Sequence, residues 1–220
     1  MDKSPDKIQH IFDKISSYYD FMNNIISFGT HKIIKKECVK MLNIPNRARV
    51  LDLCCGTGDT AWIIKKLYKR SNVIGVDISE KMLNIARNKC RYVEFYNMDV
   101  SALSFEKCYF DIVTCTFGLR NVCNIESVFA AVYKVLRHGG EFMTLDFGYK
   151  NIFSKLFDKY VLFISKLLKK NLLAYNYLVQ SKKEFVLPEE IIEIASKFNL
   201  HPTSKREFLF GTISMIIFTK

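Results

Sequence analysis

The chain is 220 residues long, 49% hydrophobic and 14% aromatic, with 33 lysines and arginines against 22 acids. That much apolar side chain excludes a disordered or charge-dominated polymer and suits one core-bearing domain over residues 1–220. The net charge of +11 asks for an anionic partner, and nucleic acid, an acidic membrane face and an acidic substrate all satisfy it.

Apolar residues recur at three- and four-residue spacing through Ile8, Ile11, Phe12, Ile15, Tyr19 and Met22. They predict a helical N-terminal segment over residues 4–44, broken near Ser27-Phe28-Gly29. From Arg49 the texture becomes strand and helix in alternation. Strands are expected at 49–55, 73–76, 92–96, 110–115 and 141–145, and helices at 60–68, 79–88 and 125–136. Such alternation specifies an α/β fold, a Rossmann-like doubly wound and mostly parallel sheet. A basic, aromatic-rich helical insertion follows over 150–183, with lysines at 150, 155, 159, 166, 169, 170, 182 and 183. A helix at 188–198 opens on Glu189 and Glu190, as the helix dipole prefers, and two strand-like runs flanking Gly211 predict a C-terminal antiparallel hairpin at the sheet edge.

The seven cysteines, at 38, 54, 55, 90, 108, 115 and 123, contain no Cys-x-x-Cys pair. Neither a zinc knuckle nor a disulfide framework fits, and reduced thiols in the cytoplasm are expected. No metal is assigned. The first residues carry acids and lack an apolar stretch, unlike a secretory or transit signal. The apolar runs at 160–168 and 208–218 are too short or too interrupted to span a bilayer.

Chemistry concentrates at the predicted strand ends. Leu51-Asp52-Leu53-Cys54-Cys55-Gly56-Thr57-Gly58-Asp59 runs a strand into a glycine turn and then a helix, where the backbone can approach a small molecule. Asp77 ends the next strand, where a carboxylate can accept both hydroxyls of a ribose; capping the helix at Ser79 is its structural alternative. Asp99 ends the third strand, placed for an adenine amino group, with Val100 beside the ring. Three strand ends in register point to a nucleoside-bearing cofactor. No P-loop lysine is present, and Ala61 stands where the dinucleotide fingerprint has its third glycine. Without a pyrophosphate cradle, S-adenosylmethionine is favoured, its cationic end suiting acids such as Asp52 and Asp59. Cys54 and Cys55 read as small core hydrophobes rather than nucleophiles.

Tyr19-Asp20-Phe21-Met22-Asn23, Ser27-Phe28-Gly29-Thr30-His31, the glycine motif, the run at 75–83 and Phe117-Gly118-Leu119-Arg120-Asn121-Val122 together resemble the UbiE-type C-methyltransferases of ubiquinone and menaquinone biosynthesis. The resemblance covers most of the chain, including Tyr175-Asn176-Tyr177-Leu178. Two departures stand out: Ile34-Lys35 where the family has Trp-Lys, and Arg137-His138-Gly139-Gly140 in place of Lys-Pro-Gly-Gly. The glycine turn puts Gly56 beside the cofactor, and the resemblance implies that Thr57, Asp77, Asp99, Val100 and Thr116 contact it. The resemblance also implies methyl transfer to a ring carbon of a prenylated quinol, either demethylmenaquinol or 2-polyprenyl-6-methoxy-1,4-benzoquinol.

In such a transfer the quinol oxygen loses a proton, the ring carbon attacks the sulfonium methyl in line, and a base removes the ring proton. Arg120 is the expected catalytic residue, stabilising the developing oxyanion or orienting a water; its alternative is a structural ion pair. His31 and Tyr175 are weaker substrate-side candidates, and Asn121 is expected to cap the following helix. The basic insertion is read as a greasy lid with a cationic rim that guides a prenyl tail, which places the protein peripherally at the inner face of the membrane. Alternatives are methylation of another small lipid or aromatic, or of RNA, and a non-catalytic cofactor binder. Nucleic acid is not the expected partner, because the basic residues form no stacking platform.

Overall fold

A computed structural model describes residues 2–168 and 172–220. Seven strands form one sheet: β1 (Arg49–Leu53), β2 (Asn72–Asp77), β3 (Glu94–Asn97), β4 (Phe110–Thr116), β5 (Leu136–Phe147), β6 (His201–Phe208) and β7 (Ile213–Thr219). Their order is β3-β2-β1-β4-β5-β7-β6. The first five are parallel, and β7 pairs antiparallel with both β5 and β6, as the C-terminal hairpin predicts.

Helices cover both faces. After α1 (Pro5–Ile15), α2 (Tyr19–Ser27) and α3 (Thr30–Lys40) come α4 (Asp59–Leu67), α5 (Glu80–Lys89), α6 (Ile125–Val135), α7 (Ile152–Leu168), α8 (Leu172–Glu184) and α9 (Pro188–Lys197). Alternation along the strands sends side chains to two cores. Val50, Met143, Leu145, Met215 and Ile217 pack with α3, α4 and α5, whereas Leu51, Leu53, Phe142, Ile216 and Phe218 pack with α6 and α9. Phe129 of α6 sits edge-on to Phe142 and Phe218, with ring centroids 5.4 and 5.7 Å away, which fastens the hairpin to the parallel sheet. A third, smaller core joins the N-terminal helices to α7 and α8 through Ile15, Met22, Ile26, Val161, Tyr175 and Val179.

The predicted break at 27–29 is real: Phe28 and Gly29 take left-handed φ values of 50° and 75°. A second break, a 3-10 turn over Ser16–Tyr18, carries no glycine or proline to announce it. Strand β5 begins earlier than expected because Gly139 and Gly140 form a bulge rather than a loop. Gly139 N–H donates to Lys220 O, and the pairing with β4 jumps from Phe110↔Leu136 to Ile112↔Glu141.

The insertion folds as α7 and α8, paired so that Lys182 near the end of α8 reaches Asp158 (2.5 Å) and Ser154 O (2.7 Å) of α7. Lys182 is therefore buried between helices and forms no part of a solvated cationic rim. Lys169 and Lys170 lie outside the described residues. Among the described residues no helix is long and apolar enough to cross a membrane.

Gly75 faces Phe95 across the β2–β3 pair, and a Cβ there would stand 2.7 Å from the Phe95 ring and 3.0 Å from Cys55 Sγ. Gly75→Ala should therefore cost about 1–3 kcal/mol through overpacking. The expected reading is a lower urea midpoint at unchanged denaturant slope.

Candidate active site

In an open α/β sheet, ligands bind beyond the carboxyl ends of the strands where the strand order reverses, here between β1 and β4. Residues 54–59, Asp77, Asp99 and Thr116 all lie at or just past those ends. The turn after β1 needs left-handed backbone at Cys54, Gly56 and Gly58, with φ of 50°, 55° and 80°. Gly58 lacks room for more: a Cβ would sit 3.1 Å from both Ala86 and Phe95. Asp77, buried at the end of β2, accepts the Gly56 N–H at 2.8 Å through one oxygen and the Ser79 N–H at 2.9 Å through the other. Burial pushes its carboxyl up, against these backbone hydrogen bonds. Ser79, not Asp77, caps α5, accepting from Met82 N–H at 3.2 Å.

A cavity of about 300 Å³ opens over these ends, and Gly56, Thr57, Asp77, Asp99, Val100 and Thr116 all line it. The polar side chains among them are fixed by their neighbours. Thr57 donates to Asp20 Oδ1 of α2 (2.6 Å). Thr116 shares a hydrogen bond with Thr60 (2.7 Å), and Asp99 accepts from the Ser101 N–H and hydroxyl, both at 2.8 Å. Accepting acids, hydroxyls and the apolar Val100 form a lining suited to a nucleoside. Asp59 also lines the cavity. Burial opposes its charge, but His31, Lys35 and Lys89 together hold its carboxyl far below the usual range. Asp52 does not line the cavity: it turns under α4, accepting from Thr114 Oγ1 (2.7 Å) and Ala61 N–H (3.2 Å). Strand alternation after Leu51 puts it on the α4 side.

A second, largely apolar cavity of about 440 Å³ adjoins the first, and Tyr19, Lys35 and Phe117 line both. Its walls include Ile26, Phe28, Phe157, Tyr160, Leu178 and Ile213, and Arg120 also lines it. Arg120 lies on a 3-10 turn (Leu119–Asn121), is 6% exposed, pairs with Asp146 Oδ1 at 3.0 Å and donates to Phe117 O. Burial disfavours its charge, yet Asp146 more than restores it. The structural ion pair is thus present, and the guanidinium still borders the cavity, with Nε unbonded.

Other candidates fall differently. Asn121 does not cap α6: it donates to Phe117 O (3.5 Å) and accepts from Tyr177 Oη (2.9 Å), while Asn124 caps the helix by accepting from Ser127 N–H. The sequence offers two asparagines beside the same helix start, and only packing separates them. Tyr175 is 1% exposed and belongs to the third core. His31 lines the second cavity, its Nδ1 2.6 Å from Ser27 Oγ and its Nε2 3.7 Å from Asp59. The Cys54 thiol is pushed well up by Cys115 and burial, and that of Cys55 by burial, as packed thiols are. Sequence reasoning missed Lys35, whose only signal was the departure at Ile34 beside it. It also missed the ties made by Asp13 and Asp20, which cross from the N-terminal helices to Ser79 and Thr57.

A profile of the ubiE/COQ5 methyltransferase family matches residues 1–220. The chain is 33% identical to a demethylmenaquinone methyltransferase of Lactococcus lactis over 98% of its own length and 90% of that protein's. It is 31% identical to the enzyme of the same name from Oceanobacillus iheyensis, covering 96% of this chain and 93% of that one. Among solved structures, an S-adenosylmethionine-dependent methyltransferase of Thermotoga maritima shares the fold, with a TM-score of 0.71 at 21% identity, 97% of this chain and 99% of that one.

Asp52 gives the site a pH signature. Burial raises its carboxyl to about 7, against the Thr114 hydroxyl and Lys35. A group raised on folding stabilises fully below its unfolded pKa, and that stability is lost as pH rises through the folded value. Melting temperature should thus fall as pH rises from about 4, the unfolded value, to about 7, the folded one, and Asp52→Asn should flatten that part of the profile.

Proposed function

The chain belongs to the ubiE/COQ5 methyltransferase family, and from that premise we propose that it methylates a ring carbon of a prenylated quinol, demethylmenaquinol in the first instance. The observation carrying this reading is the pair of cavities: a polar one at the strand ends and an apolar one beside it, meeting at Tyr19, Lys35 and Phe117. S-adenosylmethionine, the cofactor of this methyltransferase, supplies an electrophilic methyl group on a sulfonium. We assign it to the first cavity, with Asp77 accepting from the ribose hydroxyls, Asp99 and Val100 at the adenine, and the turn at Gly56 and Thr57, with Thr116, around the methionyl part.

The quinol ring then belongs at the junction and its tail in the second cavity, whose apolar walls suit an isoprenoid. Arg120 offers a fixed positive charge to the quinol oxygen as that oxygen becomes anionic. Held charged by Asp146, it orients rather than accepts a proton. Demethylmenaquinol is preferred because the relatives at 31 and 33% identity carry that name.

A substrate of this kind lives in a bilayer, and the mouth of the second cavity is dressed for one. Phe28, Leu156 and Leu209 line the cavity and are 81, 54 and 49% exposed. Phe153 and Phe210 stack beside them at 4.1 Å, with Lys150, Lys155 and Lys159 exposed nearby. Aromatic groups with a cationic border suit an anionic interface.

Methyl transfer from labelled S-adenosylmethionine should proceed on micellar demethylmenaquinol, and cofactor binding without transfer to any quinol would overturn the reading. Asp77→Ala should weaken S-adenosylhomocysteine binding about 10- to 100-fold, the worth of hydrogen bonds to a charged acceptor. Arg120→Gln should lower kcat while leaving that affinity within about twofold, with melting curves recorded to check folding. In flotation, the protein should rise with phosphatidylglycerol vesicles in preference to neutral ones, and Phe28→Ser with Phe210→Ser should abolish the difference. No preference for anionic vesicles would remove the membrane-docking role.

A further inference from the structure

The amino-acid end of S-adenosylmethionine is a zwitterion, so its site must satisfy a carboxylate as well as an ammonium. The first cavity has two cationic side chains among its described lining residues, Lys3 and Lys35. Lys3 faces Glu184 and Asp146, on the β4–β5 side. Lys35 lies across the glycine turn, facing Asp59, Asp52 and Asp20.

Lys35 is poorly compensated. Its side chain is 13% exposed and 4.0 Å from Asp59 Oδ2, beyond hydrogen-bond length, with the Phe117 ring 6.0 Å away. Asp59 itself is taken by Lys89, which holds its other oxygen and also reaches Asp20 Oδ2 at 3.0 Å. Burial pulls the Lys35 ammonium's pKa down despite these acids. A buried ammonium without a close partner is costly, and a carboxylate arriving beside it removes that cost.

We propose that Lys35, carried by α3 rather than by the sheet, holds the carboxylate of the cofactor's amino-acid end and so makes cofactor binding clamp the N-terminal helices over the site. The proposal rests on the cofactor placement above. The clamp follows from where Lys35 is anchored. Helices α1 and α2 are tied to the sheet end by three side-chain bonds, Asp20 with Thr57 (2.6 Å), Asp20 with Lys89 (3.0 Å) and Asp13 with Ser79 (2.6 Å), whereas α3 meets Asp59 only at the longer distances of His31 (3.7 Å) and Lys35 (4.0 Å). Helices α2 and α3 and the break between them supply Tyr19, Asn23, Ile26, Phe28, Thr30 and His31 to the wall of the second cavity. Whole cofactor thus adds a fourth tie and completes the apolar cavity, and binding becomes ordered, cofactor before quinol.

Calorimetric binding of three ligands to the full-length protein, wild type, Lys35→Met, Lys35→Arg and Lys3→Met, tests this. S-adenosylhomocysteine carries the whole amino-acid end, decarboxylated S-adenosylmethionine only its ammonium, and 5′-methylthioadenosine neither. Lys35→Met should weaken S-adenosylhomocysteine about 10- to 100-fold and change the other two by less than about twofold, and Lys35→Arg should recover most of the loss. S-adenosylhomocysteine, but not 5′-methylthioadenosine, should protect residues 1–40 from proteolysis in the wild type, and neither should do so in Lys35→Met. Equal weakening of all three ligands, unchanged S-adenosylhomocysteine affinity, or transfer of the selective loss to Lys3→Met would overturn the assignment. A Lys35→Met enzyme impaired only toward quinol would also overturn it, by placing Lys35 in the second cavity's service. Failure of the cofactor placement itself shows separately, as Asp77→Ala binding all three ligands normally.

Discussion

One buried carboxylate organises the functional end of this fold. Asp77 takes the Gly56 N–H in one oxygen and the Ser79 N–H in the other, so the turns following two adjacent parallel strands are fastened to a single side chain. The turn after β1 has three residues in left-handed backbone, open to Gly56 and Gly58 but strained at Cys54, and such strain persists only where neighbours hold the turn. Asp77 is that hold, at the cost of its own desolvation. Because β1 is central and its neighbours run parallel, fixing this turn fixes the floor of the first cavity and the start of α4 with it.

Everything on the far side of the crevice comes from outside the sheet. Thr57 reaches Asp20, Ser79 reaches Asp13, and Asp59 meets Lys35, His31 and Lys89. These are polar contacts across a seam, whereas the third core under α1, α2, α7 and α8 is apolar but small. The division has a mechanical meaning: a sheet edge over two large cores is rigid, and a cap joined by a few side-chain bonds opens at lower cost.

The charge excess also resolves differently from its bare count. Lys182 is spent inside the α7–α8 pair, Lys89 and Lys35 surround Asp59, and Lys205 is bonded to Tyr149 and Glu189. What remains near the apolar cavity is a short border of lysines on α7 and just before it, next to exposed aromatics.

The alternation of strands and helices, the glycine turn and the acids at three successive strand ends were legible in the chain, because each depends on residues a few positions apart: two-residue and 3.6-residue periods, and backbone freedom at glycine. So was membership of the family, which rests on short contiguous motifs. The residue-level roles that needed tertiary structure are those set by contacts between distant segments. Asp52 and Asp59 look alike in sequence, yet strand alternation buries the first under α4 and a helix start exposes the second to the crevice. Asn121 and Asn124 compete for one helix cap, and a tyrosine 56 residues away decides between them. Lys35 had no local signature beyond the departure at Ile34 beside it, since a lysine on an amphipathic helix is ordinarily solvated. Only the packing of α3 against the glycine turn buries it, and burial is what converts an ordinary charge into one that requires a partner.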